Sequence, residues 1–506
     1  MNLQTNKDKS LTSVAARPII VIYMCNTYRY RINLRPAAIA LIAAASLGLS
    51  ATGWSAPKPK TKDQFPLIGR SAQIDTAFPY YKDRSPESIA SELRVNRYRV
   101  VHDVVTNENA IDPALIAALH HEKIGVWYVT FGNGAYNTDP LPPGWEKWSM
   151  ALRGDFAGTP VHDGFNRLCL NNPEYRKWKK KQISETLRRI PFDGVEIVES
   201  HWPEYPGRFT ASYGCFCESC HTAFQAMYPD ETRFPDIIHS ASAQSPERNP
   251  VLWRKWLKFR EASVAGYLND LVNGPDGVRK TVPSAKVSVW ALTLTGPDAL
   301  KRMREDCGED AADIAKTVHP DLLGLQTNWP DWSRAELKPS YADQLMPFVS
   351  AVRSVAPTMP LLIQADTGST RANLRSRSWI KAFEKECSKI GVGSTTYYSY
   401  EASGLMYEAP RIAEATRTGR NIEVVFNKRV DPATSDPKHY TLDRGKVTAT
   451  AIDGNIVKLT TDAEGEKAAS VTARSVANMP KLLLFPEHPA AILNRQTIHI
   501  DRQAAP

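Results

Sequence analysis

Residues 193–200 read DGVEIVES. An Asp-Gly pair opens a short apolar run and a polar pair closes it, as in a strand buried on both faces. Seven comparable runs accompany it: PLIGRSAQID (66–75), RYRVVHDVV (97–105), IGVWYVTF (124–131), KVSVWALTL (286–294), DLLGLQTNW (321–329), PLLIQADTG (360–368) and GVGSTTYYSYE (391–401). Helix signals fall between them. Ser85-Pro86, Asp112-Pro113 and Asn172-Pro173 each set a capping side chain before proline at the first helical position. PEYRKWKKKQISETLRR (173–189) carries Tyr175, Trp178, Ile183 and Leu187 on one stripe, and VLWRKWLKFREASVAGYLNDLV (251–272) is a second long amphipathic segment. Eight strand-like runs joined by helices predict an α/β fold, a (β/α)8 TIM barrel over residues 60–418. A doubly wound open sheet is the alternative. It usually needs fewer strands and often carries a Gly-rich first turn, whereas the glycines here are scattered.

The pattern changes near residue 420. NIEVVF (421–426) alternates apolar and polar positions, VTATAIDGNIVKLTT (447–461) reads as strand, Asp453-Gly454 turn and strand, and SVTARSV (470–476) continues the series. A small all-β sandwich is predicted over 419–504. The order VVFNKRVDPATSDPKHYTL then GKVTATAIDGNIVKLTT resembles the SbsA-type bacterial Ig-like domain, in which an F-x-x-x-V-D-P-A opening recurs. That resemblance implies a spacer or a binding module.

Arg29, Arg31 and Arg35 precede an apolar run from Ala37 to Leu49, and small residues follow. This is the order of a secretory signal, so residues 1–56 read as a leader and the protein as exported, periplasmic or extracellular. The apolar run is too short to span a bilayer, so no membrane span is expected after cleavage. The whole chain carries +9; residues 1–53 hold six Lys/Arg and one acid, +5, leaving 9 − 5 = +4. That charge, without a basic cluster, argues against nucleic acid. The absence of a Gly-rich phosphate loop argues against a nucleotide, and no organic cofactor is expected.

Barrel enzymes carry their chemistry at the C-terminal strand ends. Those ends offer Asp75, His102, Asp103, Asn133, Glu199, His201, Trp290, Gln326, Asn328, Trp329, Gln364, Asp366, Tyr398, Tyr400 and Glu401. Carboxylates and amides hydrogen-bond hydroxyls, and aromatic rings stack on apolar sugar faces, so carbohydrate is the substrate class that uses all three. Glycoside hydrolysis needs two carboxyls across the scissile bond. Glu199 is the acid/base candidate, with Trp202 near enough to desolvate it; Asp366 is its candidate partner and Glu401 the reserve. Glu196, on the opposite strand face, reads as structural. Trp202, Trp329, Asn328, Gln364 and Tyr400 are the candidate substrate-binding residues. Loop clamping is the competing role for Trp329, and packing under an eighth helix for the tyrosines of TTYYSYE.

Cys215-x-Cys217-x-x-Cys220 places three thiols in one loop, and Cys169 or His221 offers a fourth ligand. Structural zinc, disulfides and free thiols are the alternatives; a Cys215–Cys217 disulfide would close a very small ring. A strand-four glutamate, a C-x-C-x-x-C-x-x-x-F segment and an upstream cysteine resemble the family 42 beta-galactosidases and related (β/α)8 glycosidases over 166–224. The resemblance implies Glu199 as acid/base and Cys169, Cys215, Cys217 and Cys220 as zinc ligands. Two departures stand out: Val198 precedes Glu199 where the family has asparagine, and strand seven offers Asp366 where it has glutamate. The sequence thus supports an exported glycoside hydrolase acting on an oligo- or polysaccharide. A non-catalytic glycan-binding or cell-envelope protein on the same barrel is the alternative.

Overall fold

The computed structural model describes residues 65–203, 207–434 and 436–502. The leader assigned to residues 1–56 lies outside them. All eight strand runs form strands: β1 (Ser71–Ile74), β2 (Val100–Val104), β3 (Gly125–Phe131), β4 (Gly194–Val198), β5 (Lys286–Thr293), β6 (Leu322–Thr327), β7 (Leu361–Asp366) and β8 (Ser394–Tyr398). They pair in sequence order, every pair parallel. A parallel bridge between Arg70 and Thr395 brings β8 back to β1. This is the (β/α)8 barrel, not the open sheet.

Local signals set the surrounding helices. α1 (Pro86–Val95), α2 (Pro113–His121) and α3 (Pro173–Arg189) each begin at the proline foreseen, and Ser85, Asp112 and Asn172 accept backbone N–H groups of the first turn. Further round lie α4 (Glu218–Met227), α5 (Pro250–Asn273), α6 (Ala299–Cys307), α7 (Ala311–Val318), α8 (Met346–Val355) and α9 (Arg377–Lys389). No described helix is long and apolar enough to cross a membrane.

Strand alternation sorts two cores. Ala72, Ile74, Val101, Val126, Ile197 and Leu323 face the helices, whereas Val100, Val104, Trp127, Val129, Val198, Trp290, Leu322 and Leu362 fill the barrel. Gly324 makes room for the Trp290 ring, which a β-carbon there would meet at 2.4 Å. The barrel interior is not wholly apolar. Glu196 accepts from the Trp290 indole at 3.1 Å and bonds His102, whose other nitrogen meets Ser71 Oγ at 2.9 Å. Glu196 is fully buried in this chain of partners, the structural carboxylate foreseen.

After β8 no helix forms. A 3-10 turn, Gly404–Tyr407, leads directly into β9 (Ile412–Thr418), so Tyr397, Tyr398 and Tyr400 lie under no eighth helix. β9 pairs with β10 (Asn421–Phe426), so the all-β unit starts at Ile412, seven residues before 419. With β11 (Tyr440–Leu442), β12 (Val447–Asp453), β13 (Ile456–Thr461), β14 (Ser470–Ala477), β15 (Ile492–His499) and β16 (Asp501–Arg502) it forms two sheets, ordered β12-β13-β10-β9-β16 and β11-β14-β15. Their inner faces share one core that includes Val424, Phe426, Val457, Leu459, Val471 and Ala473. The FNKR segment (426–429) docks on the barrel. Arg429 donates to the carbonyls of Tyr80 (2.8 Å) and Lys82 (2.6 Å), Lys428 to those of Leu405 and Glu408, and the Asn427 carbonyl accepts from Asn96.

Candidate active site at the barrel mouth

Glu199 follows the last residue of β4. Its backbone is left-handed, φ +52°, a conformation that costs a non-glycine residue about 1 kcal/mol. The neighbouring loop is built around it. Gly132, just past β3, comes so close that a β-carbon would meet Ser200 Oγ at 1.8 Å. Asn133 grips the His201 backbone from both sides: Oδ1 accepts its N–H at 3.1 Å and Nδ2 donates to its carbonyl at 3.0 Å.

His201 Nε2 lies 2.9 Å from Glu199 Oε2, and Nδ1 lies 2.9 Å from the Trp202 carbonyl. Both ring nitrogens face acceptors, which suits the charged imidazolium. From β6, Gln326 Nε2 donates to Glu199 Oε1 at 2.6 Å. Burial alone would raise the Glu199 carboxyl, but the His201 bond and charge and the Gln326 bond outweigh it and hold the group below the usual carboxylate range. Burial likewise depresses His201, yet the Glu199 carboxylate prevails and lifts it to about 9. The pair is therefore ionised at neutral pH. Glu309, which accepts the Leu292 N–H at 2.9 Å, is buried beside it and pushed up to about 7 by desolvation. The Glu199 side chain remains 27% exposed.

The β7–β8 side differs. Asp366 ends β7 as foreseen, but its own loop saturates it. Oδ1 accepts from Gly368 N (3.1 Å), Ser369 N (2.9 Å) and Asn373 Nδ2 (2.7 Å), and Oδ2 bonds Ser369 Oγ. Desolvation raises its carboxyl. Glu401 is fully buried, bonded to Ser399 Oγ and to Tyr81 OH at 2.8 Å, and burial lifts it to about 8. Both oxygens of each carboxylate are engaged in holding loops.

The other candidates divide. Gln364 sits inside the barrel, and its buried Oε1 meets no donor among the described residues. Asn328 caps the short helix Trp329–Trp332 through Trp329 N at 2.8 Å. Trp329 is partly buried and packs against the main core. Two placements are corrected. Trp202 is 0% exposed, packed at a tilt against Trp256 and Phe259 with its indole donating to the Arg260 carbonyl at 2.9 Å, so it presents no face to a sugar. Tyr400 is equally buried. Its hydroxyl donates to Glu92 at 2.8 Å beneath α1, away from the mouth.

Sequence reasoning named Asp75 and Asp103 at strand ends without selecting them. Asp75 is buried where β1 ends, accepts the Ala77 N–H at 3.0 Å through Oδ1, and is raised to about 6 by desolvation. Glu309, in the loop between α6 and α7, and the rings of Phe131, Tyr136 and Phe165 were not foreseen. Glu309 follows a helix rather than a strand, so strand-end reasoning gives no signal for it.

The four cysteines converge. Cys169 Sγ lies 3.5 Å from Cys220 and 3.4 Å from Cys217, and all four sulfurs fall within 4.8 Å of one another. Tetrahedral ligands at a Zn–S bond of about 2.3 Å stand ~3.8 Å apart, so this thiol set fits a closed four-sulfur metal site. All six described cysteines are free in this structure. His221, the fallback ligand, stacks on Phe234 instead, ring centroids 3.7 Å apart. A metal here would fix the loop after β4 to the segment before α3.

No protein-family signature matches the sequence, and no curated protein matches it. Among solved structures the chain is similar to the PgaB (BpsB) glycoside hydrolase domain from Bordetella bronchiseptica, at 14% identity and TM-score 0.47, covering 65% of this chain and 94% of that one. It is similar to beta-galactosidase from the psychrophilic Marinomonas ef1, at 12% identity and TM-score 0.46, covering 66% and 54%. A third likeness is beta-galactosidase from Bacillus circulans sp. alkalophilus, at 14% identity and TM-score 0.46, covering 67% and 51%. The chain spans about half the length of these two beta-galactosidases.

Proposed function

We propose that the barrel mouth hydrolyses a glycosidic bond in an oligo- or polysaccharide, with Glu199 as its ionised carboxylate. The observation that carries this reading is Glu199 itself: a strained strand-end carboxylate, partly open to the mouth, with its charge fixed by His201 and Gln326. Acid/base chemistry also needs a proton on the opposing carboxyl. Asp75 supports that role better than Asp366 or Glu401, because only one of its oxygens accepts a backbone N–H and desolvation keeps its proton to about pH 6. Glu199 then serves as nucleophile or base, and Asp75 protonates the leaving oxygen. An Ig-like role for the all-β unit and export through the leader belong to this proposal, whereas the acid/base role that the family 42 resemblance implies for Glu199 passes here to Asp75. The proposal also includes structural zinc on Cys169, Cys215, Cys217 and Cys220, since four thiolates leave no open position for a water.

Incubation with defined glycans tests the reading. Glu199→Gln should abolish product release while the melting curve stays in place; unchanged turnover would refute it. A non-catalytic glycan-binding barrel is the second reading. The commitment of Asp366 and Glu401 to their own loops favours it, and glycan binding without product from the wild-type protein would select it.

A further inference from the structure

The loop from the end of β1 to α1, residues 75–85, has two sides. On one it walls a cavity of about 390 Å³ at the mouth, with Asp75, Phe78 and Lys82 in its lining. Asp75 Oδ1 accepts the Ala77 N–H and its carbonyl accepts the Phe78 N–H at 3.1 Å, so the carboxyl moves with the loop. The other side belongs to the all-β unit. Buried Arg429 donates to the Tyr80 and Lys82 carbonyls, and its backbone N–H donates to the Tyr80 hydroxyl at 3.0 Å. The Asp453-Gly454 turn between β12 and β13 takes the end of the loop. Asp453 Oδ1 accepts the Ser85 N–H at 2.9 Å, Oδ2 accepts from Ser85 Oγ, and Asn455 Oδ1 accepts from Arg84 Nη2 at 2.9 Å. Gly454 lets Arg84 approach; a β-carbon there would meet Arg84 Nε at 2.5 Å.

The all-β unit is more than tethered. Leu483 and Phe485, between β14 and β15, are buried in the barrel's main core, and Phe485 N donates to Tyr407 OH at 2.9 Å. Domains on a linker move relative to one another unless such an apolar interface fixes them. Fixing matters to Asp75, because burial is the largest influence on it, ahead of the Ala77 N–H and the Lys82 charge. Its other charged and titratable neighbours are Asp103 on β2 and Tyr398 and Glu401 at the end of β8. Asp103 is 3% exposed, its Oδ1 meets no donor among the described residues, and burial with the Asp75 charge pushes it up to about 7. A loop that swings out lets water reach Asp75 and removes the desolvation that holds its proton.

We propose that Arg429 is a positioning residue: with Asp453 and Asn455 it clamps the 75–85 loop from outside the barrel, so that the all-β unit keeps water from Asp75. The role of Asp75 as the acid rests on the glycosidase reading above; the clamp does not.

The test is an NMR titration of the Asp75 carboxyl carbon in the full chain, assigned by the signal lost in Asp75→Asn. The wild-type carboxyl should titrate at about 6. In Arg429→Ala it should fall by about one unit or more, towards the ordinary value near 4. Arg429→Lys, which keeps a donor for the two carbonyls, should recover most of that shift. Tyr80→Phe, the gentler second variant, removes only the hydroxyl that meets the Arg429 N–H and should shift Asp75 less, in the same direction. Lys428→Met cuts the contacts to Leu405 and Glu408 instead; it should lower the melting temperature and leave Asp75 in place. With hexasaccharides of glucose, mannose, galactose and N-acetylglucosamine as activity probes, the alkaline limb of the rate should move with the carboxyl. An Asp75 unmoved in both Arg429→Ala and Tyr80→Phe, or moved equally in Lys428→Met, overturns the clamp. A shifted Asp75 without cleavage of any of these sugars keeps the clamp and overturns the glycosidase reading.

Discussion

Glu199 and Asp366 both end barrel strands, and the mouth treats them in opposite ways. Glu199 takes its hydrogen bonds from His201 and from Gln326 on another strand, and it keeps an exposed edge. Asp366 takes all of its bonds from residues 368–373 of the loop it starts, and it is buried. The first arrangement fixes a charge where a ligand can reach it. The second spends a charge on folding a turn. Strand-end position therefore does not settle a carboxylate's role; the origin of its donors does.

The sharpest break between the two corners is isosteric substitution. Glu199→Gln should cost roughly 10³-fold or more in turnover with little change in stability, whereas Asp366→Asn should lower stability by about 2–3 kcal/mol and keep turnover within tenfold. Denaturant unfolding beside product assays reads both. If Asp366→Asn removes turnover and leaves stability intact, the contrast is reversed. The thiol cluster comes next. Metal analysis of the purified protein should return about one zinc per chain, and stripping it with a strong chelator should lower the melting temperature by several degrees. Metal-free protein that melts at the same temperature would contradict the zinc reading. The smallest effect concerns Asp103. Its raised carboxyl favours the folded state below the unfolded value near 4, and that contribution is lost as pH rises through about 7. Asp103→Leu should therefore stabilise the fold by about 1–2 kcal/mol at pH 8 and by much less at pH 4. Equal effects at both pH values would place the cost elsewhere.

The barrel was legible because its signals are local. Proline after a capping residue fixed three helix starts, and short apolar runs fixed eight strands. The missing eighth helix was not, because the Arg429 contacts that dock the all-β unit beside α1 join segments hundreds of residues apart, as Arg429 does with Tyr80 and Lys82. Glu199 could be placed at the mouth from its strand. Its charge state could not, since Gln326 lies 127 residues away. Trp202 and Tyr400 misled for another reason: an aromatic beside a strand end stacks in the core or on a ligand with the same sequence signature, and only the packing of Trp256 and Glu92 around them decides. Asp366 was readable in hindsight, because D-T-G-S carries its own turn donors two and three residues on.

The central claim is the ionised Glu199–His201 pair. The Glu199 half is present above about pH 4.3 and lost as pH falls through its depressed value; the His201 half is complete below about 6.5 and lost as pH rises through about 9. An NMR titration of the His201 ring nitrogens in the wild-type protein and in Glu199→Gln measures this directly. The account predicts an imidazolium that persists to about pH 9 in the wild type and loses its proton far earlier in the variant. A His201 that titrates near 6.5 in both proteins would contradict it.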